Sequence, residues 1–147
     1  MTGLLGGLNP ILLPIFVLVI WTIIMLGWMA ATRLPYIAKQ DWGPDTGERT
    51  SELGAKMPKE IQWKADNYNH LHEQPTIFYA TAIASAMIGL GDGLNLYLAW
   101  AYVVSRIVHS IVHSTSNVVM VRFMIFLFGT ICILVMAGNG AIHMMTD

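Results

Sequence analysis

Residues 69–91 read NHLHEQPTIFYATAIASAMIGLG, and there the chain passes without a linker from ionisable side chains into an apolar run. His70, His72 and Glu73 stand at its threshold, and no further charge appears before Gly91. The apolar part alone, residues 75–91, is short for a membrane crossing unless its helix begins earlier. Met57-Pro58-Lys59-Glu60 supplies that earlier start, with proline and an acidic residue where a first turn favours them. The expectation is one long helix over about residues 59–90, its first part in water, bent by Pro75 at the membrane surface.

Working outward, residues 1–32 carry no charge, and residues 11–31 suffice to cross a hydrocarbon core of ~30 Å. With no basic leader and no cleavage-site pattern, this segment reads as a retained span, not a signal peptide. Gly91-Asp92-Gly93 reads as a tight turn. Two more apolar runs follow, and residues 34–58 form the sizeable polar loop. The fold class is therefore an all-α membrane protein: one domain over residues 1–147, a bundle of four transmembrane helices near 10–33, 59–90, 94–116 and 120–144.

Composition agrees. Apolar residues make up 55% of the 147 residues and charged ones 12%, about half the share usual in soluble domains. A net charge of −1 and the lack of a basic, aromatic-interleaved stripe argue against nucleic acid. The single cysteine, Cys132, lies in an apolar run and reads as a packing residue. No Gly-rich phosphate loop, CxxC pair or nucleophile elbow is present.

Lys39, Arg49, Lys56, Lys59 and Lys64 all fall between spans one and two, whereas the turn at Asp92 has no basic residue. The positive-inside rule puts the 34–58 loop in the cytoplasm and both termini opposite. Topology then gathers the ionisable residues of the spans at one depth. Arg33 closes span one, Glu73 opens span two, Arg122 opens span four, and Arg106, His109 and His113 occupy the cytoplasmic half of span three. At ~1.5 Å per residue Arg106 lies about 16 Å from Asn117, deep in the leaflet.

Tyr102, Arg106, His109, His113 and Ser116 follow a 3.6-residue period and share one helical face. On the preceding helix Asn69 or His70 aligns with Glu73. Polar faces within a bilayer turn toward one another or toward a wet cavity, so the two stripes should meet. Three arginines and one carboxylate leave an excess of two positive charges. A small peptide with two carboxylates and one amine would balance it, the arginines forking the carboxylates and Glu73 holding the ammonium.

The segments NHLHEQPTIF and AWAYVVSRIVHSIVHSTSNVVMVRFMIF resemble the MAPEG family, the membrane-associated proteins of eicosanoid and glutathione metabolism, and most of all its microsomal glutathione transferases. The resemblance rests on a Glu followed closely by Pro at span two, R-x-x-H on span three and Arg at the start of span four. It covers residues 63–134 and implies a homotrimer that binds glutathione as co-substrate between subunits in the cytoplasmic half. It further implies a transferase or peroxidase acting on an apolar electrophile or lipid peroxide from the bilayer. Carried over, Glu73, His70 and Asn69 become tripeptide contacts, joined by Tyr102, Arg106, His109 and His113 from span three and by Arg33. Arg122 resembles the arginine that holds the sulfur as thiolate. No metal is implied, and a bacterial inner membrane is the expected location.

The chain departs from the family pattern in places. His70 stands where the family commonly has Asn, Lys64-Ala65 replaces an Arg-Ala pair with two extra residues before Glu73, and Phe123 replaces a serine found in some members. Two other readings stand beside the first. One is a non-catalytic protein of the same fold that binds a lipid or partner. The other is a metal or haem protein, because His109 and His113 at i,i+4 share a face.

Overall fold

The computed structural model describes residues 8–43 and 46–146. All regular elements among the described residues are helical: α1 (Leu12–Ala38), α2 (Thr50–Ala55), α3 (Lys59–His70), α4 (Gln74–Met87), α5 (Gly93–Ser114) and α6 (Val119–Thr146). α1 and α6 are each long and apolar enough to cross a bilayer.

Their faces are dressed for lipid. Phe16, Ile20, Ile23 and Ile24 of α1, like Met120, Phe123, Leu127 and Leu134 of α6, stand exposed. α5 carries the sharpest inversion. Its outward face shows Val104, Val108 and Ile111, while Arg106, His109 and Ser110 are no more than 1% exposed. In water that arrangement would leave apolar area wet and strip charge of its solvation; in hydrocarbon it reverses both penalties.

The expected single helix over 59–90 is two helices. Residues 71–73 form a turn, with Leu71 N–H bonded to the Asn67 carbonyl and His72 N–H to the Asn69 carbonyl. Pro75 then occupies the first turn of α4, where its missing N–H costs nothing. The break thus precedes the proline, which starts a helix here and does not bend one. The 34–58 loop contains the short α2, and α1 runs on through Pro35 to Ala38, past the expected end near residue 33.

α4 closes at Gly89, whose φ of +80° belongs to the left-handed region; Leu90 N–H reaches back to the Ser85 carbonyl at 2.8 Å. The following turn is pinned to the N-terminal segment, since Asn9 donates to the Ala86 carbonyl at 3.1 Å. Gly91 lies against the Asn9 side chain, where any Cβ would collide.

α5 packs antiparallel to both α3 and α6. Lys64 of α3 lies beside Ser114 and His70 beside Arg106, while Asn95 lies beside Asn139 of α6 and Tyr102 beside Gly129. α4 runs parallel to α6, with Gln74 beside Thr130 and Ile88 beside Gly140. Leu18, Phe78, Ala82, Tyr102, Val103, Cys132, Ile133 and Met136 fill the core, with Phe78 and Tyr102 stacked at 4.4 Å. Cys132 is free and buried there, as a packing residue should be.

Candidate functional site

Three helices build one polar cluster. α3 ends at His70, α5 presents Arg106, His109 and His113 on its inward face, and α6 contributes Arg122 and Phe126. The His70 ring stacks on His109 with centroids 5.0 Å apart and meets His113 edge-on at 6.0 Å. Phe126 stands edge-on to His70 at 5.7 Å. His70, His109 and Phe126, with Val119 and Phe123, border a depression of about 240 Å³ that Arg122 also lines.

Arg106 is the electrostatic centre. Its side chain is fully buried, and its Nη2 lies 2.8 Å from Nδ1 of His70 and 3.5 Å from the His70 carbonyl. Nε and Nη1 are buried without a hydrogen-bond partner. The ion pairs among the described residues are Lys59–Glu60 and His70–Glu73, so no carboxylate pairs with Arg106. Removing a guanidinium from water costs several kcal/mol unless an anion or full hydrogen bonding replaces that solvation. Among the described residues the site holds this cation without a paired carboxylate.

Arg122 is set by the turn before it. Asn117 adopts φ of +50°, a conformation asparagine tolerates better than most residues, and its N–H closes α5 on the Val112 carbonyl at 2.7 Å. Its side-chain oxygen accepts a hydrogen bond from Nη1 of Arg122, whose Nε is buried and unpartnered. Sequence reasoning passed over Asn117. A lone asparagine between two helical runs was the available signal.

The structure brings His70, Arg106, His109, His113 and Arg122 together. Glu73, just before α4, reaches His70 Nε2 at 3.8 Å but keeps its side chain 67% exposed. Tyr102 lies one turn deeper on α5, its hydroxyl donating to the side-chain amide oxygen of Gln74 at 3.4 Å. Asn69 is exposed, whereas Asn67, one turn before His70, is fully buried with both polar side-chain atoms unpartnered. Arg33 is half-buried near the end of α1 and makes no hydrogen bond or ion pair among the described residues. Ser116 lies beyond α5 and is exposed; Ser110 and Ser114 are the buried hydroxyls of that face. Both serines were legible as i+4 and i+8 from Arg106.

Among the described residues no three His, Cys, Asp or Glu side chains converge to hold a metal ion. A larger groove of about 580 Å³ runs along α5 and α6, lined by Trp100, Val104, Val108, Met124 and Phe128 among others.

The model of the MAPEG family matches residues 11–142, nearly the whole chain. The chain belongs to the MAPEG family. No curated protein and no solved structure matches it. Membership makes this a protein of a membrane family, in keeping with the lipid-dressed faces of α1 and α6. Within this MAPEG chain the match spans every residue of the polar cluster.

Proposed function

We propose that the chain is an integral-membrane, glutathione-dependent transferase or peroxidase acting on apolar electrophiles or lipid peroxides. One observation carries the reading: Arg106 is wholly enclosed, and among the described residues two of its three nitrogens lack acceptors and no carboxylate pairs with it. An anionic ligand with several acceptors would satisfy that demand, and glutathione, the co-substrate general to the family, is such a ligand. α1, the α3–α4 pair, α5 and α6 would be four spans, with the Lys- and Arg-bearing loop in the cytoplasm of a bacterial cell. Three copies would assemble, each protomer helping to close its neighbour's site.

Arg122 is the residue assigned to the sulfur. A free thiol has a pKa near ~8.5, so little thiolate exists at neutral pH. Each unit of depression requires ~1.4 kcal/mol of preference for the anion, within the reach of one guanidinium in a site of low dielectric. Asn117 supports the role by fixing Arg122 in direction without neutralising it. The thiolate would then attack an electrophilic carbon, expelling its leaving group with the bonding pair, or a peroxide oxygen. Attack on the peroxide breaks the O–O bond and releases an alkoxide that takes a proton from water, and a second glutathione thiol converts the resulting sulfenic acid to disulfide and water. The apolar groove along α5 and α6 is a suitable approach for such a molecule from the bilayer.

The test is glutathione binding by the purified protein in detergent, followed by ultraviolet absorbance of the bound thiolate. Arg122→Ala is expected to abolish that absorbance and cut turnover. Wild-type protein that binds no glutathione, or an Arg122→Ala variant with full thiolate signal, would overturn the assignment.

The same groove favours one second reading, a non-catalytic protein that holds a lipid, since its walls are almost wholly apolar. That reading expects ligand-dependent stabilisation without turnover across electrophile and hydroperoxide panels.

A further inference from the structure

Arginine carries only donors, so the 2.8 Å contact between Arg106 Nη2 and His70 Nδ1 fixes the state of the imidazole. Nδ1 must accept and therefore bears no proton. His70 is then neutral, with its hydrogen on Nε2, the nitrogen that faces Glu73 at 3.8 Å. From the exposed Glu73 carboxylate a 3.8 Å electrostatic contact leads to His70, and a 2.8 Å hydrogen bond leads from His70 to the enclosed Arg106.

We infer that His70 and Glu73 are positioning residues: a neutral imidazole aims the Arg106 guanidinium while leaving its positive charge unbalanced for an anionic ligand. This deepens the glutathione reading and gives His70, which also borders the depression, the further task of aiming Arg106. The choice of histidine has a physical reason. An Asp or Glu bonded to Arg106 would orient it equally well, but the pair would be neutral, and the attraction for an incoming anion would be lost. A neutral acceptor separates aim from charge. Because Glu73 is two-thirds exposed, water screens its effect on Arg106 while it still faces the Nε2 hydrogen. Stacking on His109 and the edge of Phe126 hold the ring in plane.

The discriminating pair is His70→Asn against His70→Asp, nearly identical in shape, each offering an oxygen close to the place of Nδ1. His70→Asn is expected to bind glutathione within about threefold of wild type. His70→Asp should lose at least tenfold, the scale of one hydrogen bond to a charged group. His70→Phe, which offers no acceptor, should also lose about tenfold, and Glu73→Gln only a few-fold, in binding more than in kcat. Equal affinities for the Asn and Asp variants would overturn the proposal. So would an Asn variant as weak as the Phe variant while both keep wild-type melting temperatures.

A second measurement needs no ligand. Nitrogen-15 spectra of histidine-labelled protein should show His70 as the neutral form protonated on Nε2, and Arg106→Met should alter that signal. A His70 protonated on Nδ1 would overturn the proposal even if glutathione binds. The tautomer found with no glutathione binding would instead overturn the functional reading and leave the positioning intact.

Discussion

Gly129 on α6 lies so close against Tyr102 on α5 that a methyl group added to it would stand 3.3 Å from two ring carbons and 3.2 Å from the Ser105 hydroxyl. A glycine inside a helix costs about 1 kcal/mol relative to alanine, and here it permits two helices to approach. Gly129→Leu should drive α5 and α6 apart, at about 1–3 kcal/mol. The expected outcome is a lower melting temperature in detergent together with weaker glutathione binding, because Tyr102 and Arg106 share the displaced face of α5.

Arg106→Met should separate stability from function. The change replaces an enclosed cation by an apolar side chain of similar length, so the ligand-free protein should hold or gain up to about 2 kcal/mol. Glutathione-dependent stabilisation should vanish. Thermal unfolding of both proteins, with and without glutathione, checks this; a variant that melts far lower without ligand would contradict it.

At the opposite end of α5, Asn139 donates to Asn95 at 3.0 Å, and Asn95 reaches the Ser85 hydroxyl at 3.5 Å. Interhelical hydrogen bonds of this kind contribute about 0.5–2 kcal/mol in membranes. Asn139→Leu should lower stability by that amount and leave glutathione affinity unchanged. An altered affinity would mean that this network reaches the site.

Much of the polar site was legible before any coordinates. Tyr102, Arg106, His109 and His113 recur at helical spacing, and in a bilayer a polar stripe can only face inward, so periodicity fixed their common burial. The α3 side was less legible. Asn67 and Asn69 lie two residues apart, and which one points inward depends on helical phase, hence on where the helix stops. Residues 71–73 interrupt it before Pro75, a break that a local rule about proline misplaced. Asn117 and the buried Ser110 and Ser114 escaped notice because small polar residues commonly satisfy themselves on nearby backbone. Here neither serine does.

Orientation in the membrane is open to a direct check. With Cys132 replaced by serine, a cysteine placed at the exposed Ser51 should react with a membrane-impermeant maleimide only after cells are broken. Labelling of intact cells would invert the topology and place the Arg106 cluster in the outer half.

Saturating glutathione should stabilise the wild-type protein in proportion to its affinity, by about 2.7 kcal/mol at one hundred times Kd. Arg122→Ala should retain part of that gain, since Arg106 still attracts the ligand. Glutathione sulfonate, which carries a permanent negative charge at sulfur, should distinguish the two proteins most strongly.

A buried guanidinium that pairs with no carboxylate among the described residues has a practical corollary at the bench. Any small oxyanion or halide able to reach Arg106 should compete for it, so phosphate, citrate and chloride are expected to alter ligand binding by this protein. Apparent dissociation constants for glutathione obtained in different salts should disagree, and their spread would report how strongly Arg106 recruits whatever counter-ion is at hand.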